Sequence, residues 1–350
     1  MKVLVIQQKM IGDVLTTSLL FEALHERYPE AELHYLVNSH TLPVVHNNPF
    51  ISKFILFTPE IEESKLALYN LLREIKAEKY DITIDVYGKL SSTLISYFSK
   101  AKTRIAYYKK YTACLFTHPI KRIESAQHNK SLAIENRFKL LEPLGITFKD
   151  ISPKIYLTTE EIRAAKSLLT ASKIDLNNPI FMISVLGSST VKTYPFEYMA
   201  DLLNSIVSTE KNAQLLFNYI PNQKSQAQAI YDFCLPETKE HILLDVYGKS
   251  LREFLAITSQ CTALIGNEGG AINMAKALNI PTFTIFSPYL NKQNWFGGDE
   301  TNHVAVHLSD YLAYDNSDAK KHPKEYYLKF KPNFISEQLI TFLKTKTNAV

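Results

Sequence analysis

The residues best placed to do chemistry sit in three short segments, each directly after an apolar run. The first is Ile11-Gly12-Asp13, after Val3-Leu4-Val5-Ile6. The pattern reads as a strand, a glycine turn and a helix, which puts Asp13 at the ligand-facing edge of an open α/β sheet. A carboxylate there can take the proton of an attacking hydroxyl. Asp also suits the N-cap of the helix that follows.

The second segment is Gly187-Ser188-Ser189-Thr190-Val191-Lys192-Thr193-Tyr194-Pro195. Its hydroxyls and backbone N–H groups can bind phosphate oxygens, and Lys192 adds a full charge. Pro195 is a favoured first residue of a helix. A solvated Ser/Thr loop is the plain alternative. The third segment is Gly266-Asn267-Glu268-Gly269-Gly270-Ala271, after Ala263-Leu264-Ile265. Paired glycines let a backbone approach a ligand closely. Glu268 can accept from sugar hydroxyls or pair with a neighbouring lysine. A helix N-terminus behind a glycine turn offers free N–H groups and a partial positive charge to an anion. Two such turns in two halves of the chain point to a ligand held between two Rossmann-like domains, and the ligand reads as a nucleotide-sugar.

The elements that must position these residues alternate between strand and helix. Strands are expected at 2–7, 32–37, 54–57, 81–86 and 104–107, with helices at 14–27, 64–78 and 129–144, the last ending before Gly145. The pattern then restarts. Thr158-Thr159-Glu160-Glu161 reads as a capping box. Strands follow at 180–185, 214–217, 242–244, 262–265 and 282–286, with helices at 195–208, 223–234, 250–259, 270–278 and about 334–346. This alternation implies doubly wound parallel sheets. The domains are expected at 1–160 and 161–333, with the C-terminal helix of about 334–350 packing back on the first.

Length and composition set the limits. At 350 residues and 46% hydrophobic, the chain can build two domains, each with its own core. A net charge of +4 is too mild to imply nucleic acid. Cys114, Cys234 and Cys261 form no C-x-x-C pair, so neither a zinc site nor a disulfide framework is expected. No leader peptide and no apolar run near 20 residues is evident, which favours a cytoplasmic protein without a transmembrane segment. No G-x-G-x-x-G follows a strand, no D-x-D pair suggests a metal-bridged diphosphate, and Gly248-Lys249-Ser250 lacks the first glycine of a P-loop.

Taken in order, several segments resemble glycosyltransferase family 9, the lipopolysaccharide heptosyltransferases. They are Lys2 to Leu20 around Ile11-Gly12-Asp13-Val14, then Tyr80 to Asp85, Ala101 to Tyr107 and Lys192-Thr193-Tyr194-Pro195. Residues 264–288, with Ile280-Pro281-Thr282 and Phe286-Ser287-Pro288, complete the likeness. The resemblance implies a GT-B fold, an α/β class with two Rossmann-like domains facing a cleft. It implies an inverting, metal-independent transfer of heptose from ADP-heptose, with no cofactor. Asp13 would be the base. Gly187, Ser188, Ser189, Lys192, Asn222, Gln223, Glu268, Gly269 and Gly270 would hold the donor. Gly12, Lys89 and Arg104 would face the acceptor. The chain departs from the family at Glu268, where Asp is usual, at Asn273, where His is usual, and near Gln223, where an acidic residue contacts the ribose in some members.

Lys89, Lys102, Arg104, Lys109, Lys110, Lys121, Arg122 and Lys130 crowd the first half, interleaved with Tyr107, Tyr108 and Tyr111. Such a surface suits a lipopolysaccharide core or other lipid-linked acceptor carrying phosphate or acidic sugars, met at the inner membrane surface. Two other readings stand beside transfer. A GT-B nucleotide-sugar epimerase would need a second acid/base group beside Glu268, and none is obvious. A non-catalytic nucleotide-sugar-binding relative fits Asn273 and Gln223 but not the presence of Asp13.

Overall fold

A computed structural model describes residues 1–298 and 301–347. Its described residues form two compact units. One comprises Met1–Tyr156 and Gln293–Gly298, the other Leu157–Lys292 and residues 301–347.

The first unit is a six-stranded, fully parallel sheet. Its strands are β1 (Lys2–Ile6), β2 (Glu32–Asn38), β3 (Lys53–Phe57), β4 (Ile82–Asp85), β5 (Thr103–Tyr107) and β6 (His118–Ile120), in the order β3-β2-β1-β4-β5-β6. Its longer helices are α1 (Ile11–Thr17), α2 (Leu19–Arg27), α3 (Lys65–Ala77), α4 (Leu90–Phe98) and α5 (Leu132–Lys139). A parallel strand is covered on both faces, so β1 is apolar almost throughout. Leu4 and Ile6 join Leu71, Ile75 and Ile95 in one core cluster. On α2, Phe21 packs its ring 4.8 Å from that of Tyr35 on β2.

Two local differences from the sequence pattern have physical causes. The helix expected at 14–27 begins at Ile11 and divides at Ser18, whose hydroxyl donates to Leu15 O at 2.7 Å. A serine side chain that competes for backbone carbonyls breaks a helix in this way. The edge strand β6 contains Pro119, which cannot donate to a ladder and hides a strand from pattern reading.

The second unit has β7 (Ile180–Ser184), β8 (Gln214–Phe217), β9 (Ile242–Leu243), β10 (Ala263–Asn267), β11 (Thr282–Ile285) and β12 (His303–Val306), again all parallel, in the order β12-β11-β10-β7-β8-β9. Counted from β7, this is the same topology as the first sheet. Its longer helices are α6 (Thr159–Ala171), α7 (Phe196–Thr209), α8 (Lys224–Phe233), α9 (Leu251–Thr258), α10 (Gly270–Ala277) and α11 (Ser336–Thr347). The capping box at Thr158 and Glu161 forms, and the Glu161 carboxylate also binds Arg252 of α9. In each sheet the strand order reverses direction between two central strands, β1 and β4 or β7 and β10. Ligands of open α/β sheets bind above that point.

The C-terminal helix belongs to the second unit. Residues 348–350 of the expected span lie outside the described residues. Within α11, Leu339, Phe342 and Leu343 are buried in the core of the second unit, with Phe342 5.7 Å from Phe283 between ring centroids. The chain that does join the first unit is Gln293–Gly298. Gly297 lies so close to Lys130 that a Cβ would stand 2.7 Å from its carbonyl carbon.

Phe342 is 3% exposed. Phe342→Ala should lower the stability of the second unit by about 3–5 kcal/mol. Thermal unfolding followed by circular dichroism checks this, and an unchanged melting curve would detach α11 from that core.

Candidate functional site

Asp13 lies in the first turn of α1 as its third residue and is not the cap. The cap position is Met10, at φ 64°, with no side-chain cap bond. The carboxylate is held from α5. Arg137 donates from Nη2 to Asp13 Oδ1 at 2.8 Å and to its carbonyl at 3.3 Å. The same guanidinium donates from Nε to Thr17 Oγ1 and from Nη1 to Ala133 O, both at 2.9 Å. Arg137 is 6% exposed and Asp13 32%. Among the described residues Asp13 Oδ2 has no hydrogen-bond partner.

Asp13 lines a cavity of about 750 Å³. Lys9, Lys89, Arg122 and Arg137 bring positive charge to its wall, Glu124 negative charge, and Tyr87, Tyr107 and Trp295 aromatic surface. Arg122 lies 3.8 Å from the ring centre of Tyr107, and burial raises the Tyr107 phenol above its ordinary range. Beneath the rim, Asp85 ends β4 with no exposed surface. It accepts from Gly88 N at 2.8 Å and from Ser92 Oγ at 3.0 Å, and Lys109 donates to Gly88 O. These bonds fix the left-handed Gly88 (φ 61°) and the position of Lys89. Burial pushes the Asp85 carboxyl up to about 6, against the pull of Gly88, Ser92 and Lys109.

In the second unit the turn after β10 is built around Asn267, which has no exposed surface. Its amide donates to Ser184 O and Val185 O, both at 2.9 Å, and its oxygen accepts from Tyr194 N at 2.7 Å. One side chain thereby joins the ends of the two central strands to the loop that opens α7. Gly266 has φ 131°, and a Cβ there would stand 2.4 Å from Ser184 O. Gly269 also takes a glycine-only backbone (φ 152°), yet space is open beside both Gly269 and Gly270. The N-terminus of α10 therefore faces an unfilled approach.

The expected donor residues fall into two groups. Gly187, Ser188, Ser189, Asn222 and Gln223 line one cavity of about 560 Å³. Lys192 lies outside that lining and meets Glu268, Nζ to Oε1 at 3.2 Å, close enough for an ion pair but not aligned as a hydrogen bond. Gln223 turns inward, with Nε2 donating to Gly187 O at 3.3 Å and Oε1 accepting from Ile220 N at 3.2 Å. Of the expected acceptor residues, Gly12 is in the first turn of α1, where Thr16 Oγ1 donates to its carbonyl. Lys89 lines the Asp13 cavity. Arg104 does not line it, because its guanidinium donates to Leu115 O and Ala101 O. Sequence reading missed Arg137, Asp85 and Trp295. Their signals were a cation among the apolar positions of a helix, an aspartate closing an apolar strand, and the single tryptophan of the chain. Among the described residues no three His, Cys, Asp or Glu side chains converge to hold a metal ion.

A family model for glycosyltransferase family 9 (heptosyltransferase) matches residues 68–326. The chain is 22% identical over 321 residues to lipopolysaccharide heptosyltransferase 1 of Campylobacter coli, covering 85% of this chain and 86% of that protein. A glycosyl transferase family 9 structure from Veillonella parvula matches with a TM-score of 0.83 at 18% identity, covering 100% of this chain and 98% of that one. The ADP-heptose lipopolysaccharide heptosyltransferase II of Escherichia coli matches at 0.76 and 16%, covering 99% of each chain. The fold is thus the two-sheet α/β arrangement of GT-B.

Asp85 makes stability depend on pH. Between the ordinary carboxylate range and about 6 the folded chain holds a proton that the unfolded chain has released. Stability therefore falls as pH rises through that window and stays lower above it. Asp85→Asn keeps an acceptor for Gly88 N–H and lets the Ser92 hydroxyl turn to accept. It should add up to about 3 kcal/mol above pH 7 and almost nothing near pH 4. Thermal unfolding at the two pH values reads the difference, and equal effects at both would refute it.

Proposed function

The chain belongs to glycosyltransferase family 9, and from that premise we propose that it transfers heptose from ADP-heptose to a lipopolysaccharide core or a related lipid-linked glycan, with inversion at the anomeric carbon. The names of the matched relatives support the donor and the acceptor class. The observation that carries the residue roles is the Asp13 carboxylate, held on one oxygen by Arg137 at the rim of a cationic, aromatic cavity.

In this reading the acceptor hydroxyl gives its proton to Asp13 as its oxygen bonds to the anomeric carbon of the donor. The bond from that carbon to the diphosphate oxygen breaks, and ADP leaves with the electron pair. One displacement of this kind inverts the centre. Arg137 aims the carboxylate, and four of its five N–H donors are already engaged by Thr17, Ala133 and Asp13. Lys192 and the free N–H groups of α10 offset the charge on the leaving diphosphate, the part that a divalent metal would otherwise take. Ser188 and Ser189 offer hydroxyls to the same group. Lys9, Lys89 and Arg122 suit an acceptor that carries phosphate or carboxylate. No helix among the described residues is long and apolar enough to cross a membrane. A lipid-linked acceptor would be met by peripheral contact at the cytoplasmic face of the inner membrane.

Asp13→Asn preserves shape and a hydrogen bond to Arg137 while removing the base. It should still fold, with a lower melting temperature because Arg137 loses its counter-charge, bind ADP as before and lose about 10²–10⁴-fold in kcat. ADP release coupled to glycan extension measures this, and near-normal turnover would remove Asp13 from the base role. Lys192→Ala should weaken ADP binding about tenfold, with or without a chelator. Calorimetry tests this, and an affinity that depends on a divalent ion would defeat the metal-free reading.

A further inference from the structure

We infer that Trp295 is a carbohydrate-stacking platform of this cavity, taking the acceptor sugar next to the hydroxyl that reacts. This deepens the proposed reaction and rests on the reading of the Asp13 cavity as the acceptor site.

The observations are local. Trp295 is the only tryptophan in the chain. It sits in Gln293–Gly298, six residues that follow β11 in sequence yet belong to the first unit with Asp13. Asn294 and Trp295 both line the Asp13 cavity. Among the described residues neither the indole nor the Asn294 amide has a hydrogen-bond, ring or ionic partner. A large indole normally buries its face and pairs its N–H. Here it is half-buried at the cavity wall, with its N–H unpaired among the described residues.

The placement is built. Gly297 lies flat against Lys130, where any Cβ would clash with backbone at 2.7 Å, and Gly298 takes φ 98° within reach of Asn129 O. Lys130 is itself tied to Asp150 at 2.6 Å. Two glycines therefore seat the loop so that its aromatic residue reaches the cavity wall.

The chemistry that fits is a sugar ring. A pyranose has a face of C–H bonds that stacks on indole and a rim of hydroxyls that the Asn294 amide and the indole N–H can meet. A flat lipid surface fits less well, because the indole lines a concavity shared with Asp13 and Arg137.

The single tryptophan gives a direct readout. The probe is core oligosaccharide released from lipopolysaccharide by removal of its acyl chains, added to the full chain without donor. Tryptophan emission, excited selectively over tyrosine, should change saturably with the oligosaccharide and stay flat with ADP alone. Trp295→Ala should raise the acceptor KM about tenfold with kcat held within about twofold, and Trp295→Phe should recover part of the loss. If the wild-type chain extends the oligosaccharide while emission and the Trp295→Ala KM stay unmoved, the platform is wrong and the proposed reaction survives. If emission responds to ADP alone, or to anionic phospholipid vesicles but not to the oligosaccharide, the ligand class is wrong. If the oligosaccharide is neither extended nor bound, the inference falls together with the reaction it rests on.

Discussion

A single buried guanidinium organises the first unit. Arg137 is 6% exposed and donates to Thr17, to Ala133, and to the carbonyl and one carboxylate oxygen of Asp13. Desolvating a cation is expensive, and leaving it without its partner would be severe, of order 3–5 kcal/mol. The ion pair therefore constrains more than a side chain. It ties α5 to α1, separated by more than a hundred residues of sequence. It also fixes where α1 begins, with Met10 turned to positive φ so that Asp13 falls in the first turn. A carboxylate serving as N-cap would have turned back onto its own helix. Held as the third residue, it lines the cavity instead.

The second unit meets the same topological requirement with a neutral group. Asn267 bridges the ends of β7 and β10 and captures Tyr194 N, so its amide is satisfied on both sides without any charge to desolvate. Gly266 permits this because no other residue could stand beside Ser184 O. The cost of forming the turn is thus confined to positions before Glu268. Gly269 and Gly270 are left beside empty space, where a ligand's backbone contacts can form. Identical strand orders carry different site chemistry because the turn residues differ: an acid with a buried arginine in one sheet, an amide and glycines in the other.

The legible part of this chain was whatever is encoded within a few residues. Continuous apolar runs gave the central strands, because a strand covered on both faces has no polar alternation to lose. The glycine turns after β7 and β10 were readable for the same local reason, as were the Thr158 capping box and Gly145, which is left-handed at φ 70°. The turn expected at Gly12 is instead the first turn of α1, and the connection from β1 runs through residues 7–10 without a glycine. Of the edge strands, β3 and β9 were expected and β6 and β12 were not. β6 is only three residues long and a proline replaces one of its ladder donors, and β12 is a partly exposed strand with only a short apolar run. Pairings distant in sequence were invisible. Nothing in the residues around Asp13 announces Arg137, and nothing in a loop after β11 announces that Trp295 belongs with β1. Arg104 looked available because its charge was visible and the carbonyls of Ala101 and Leu115 were not. The last helix was expected to pack back on the first domain, while its own apolar stripe, Leu339, Phe342 and Leu343, belongs to the second core.

The ion pair between Lys192 and Glu268 makes binding in the second unit an exchange. Glu268 is 9% exposed, and its Oε1 lacks an aligned hydrogen bond although Lys192 Nζ is 3.2 Å away. A buried oxygen in that state gains from any donor that reaches it, and a sugar hydroxyl is such a donor. Under the proposed reaction a diphosphate would compete with Glu268 for the same ammonium. The two halves of a nucleotide-sugar would then act in concert under the proposed reaction, the phosphates drawing Lys192 while a hydroxyl satisfies the carboxylate that Lys192 had balanced. A nucleoside diphosphate brings the anion without the transferred sugar, so Glu268 would then gain a donor only from a ribose hydroxyl. The longer side chain of a glutamate, where the family usually has aspartate, extends the reach of the carboxylate toward Lys192 by one methylene. Under the proposed reaction this pair would favour an intact nucleotide-sugar, whose sugar hydroxyl reaches Glu268, over a ligand that only draws Lys192 away.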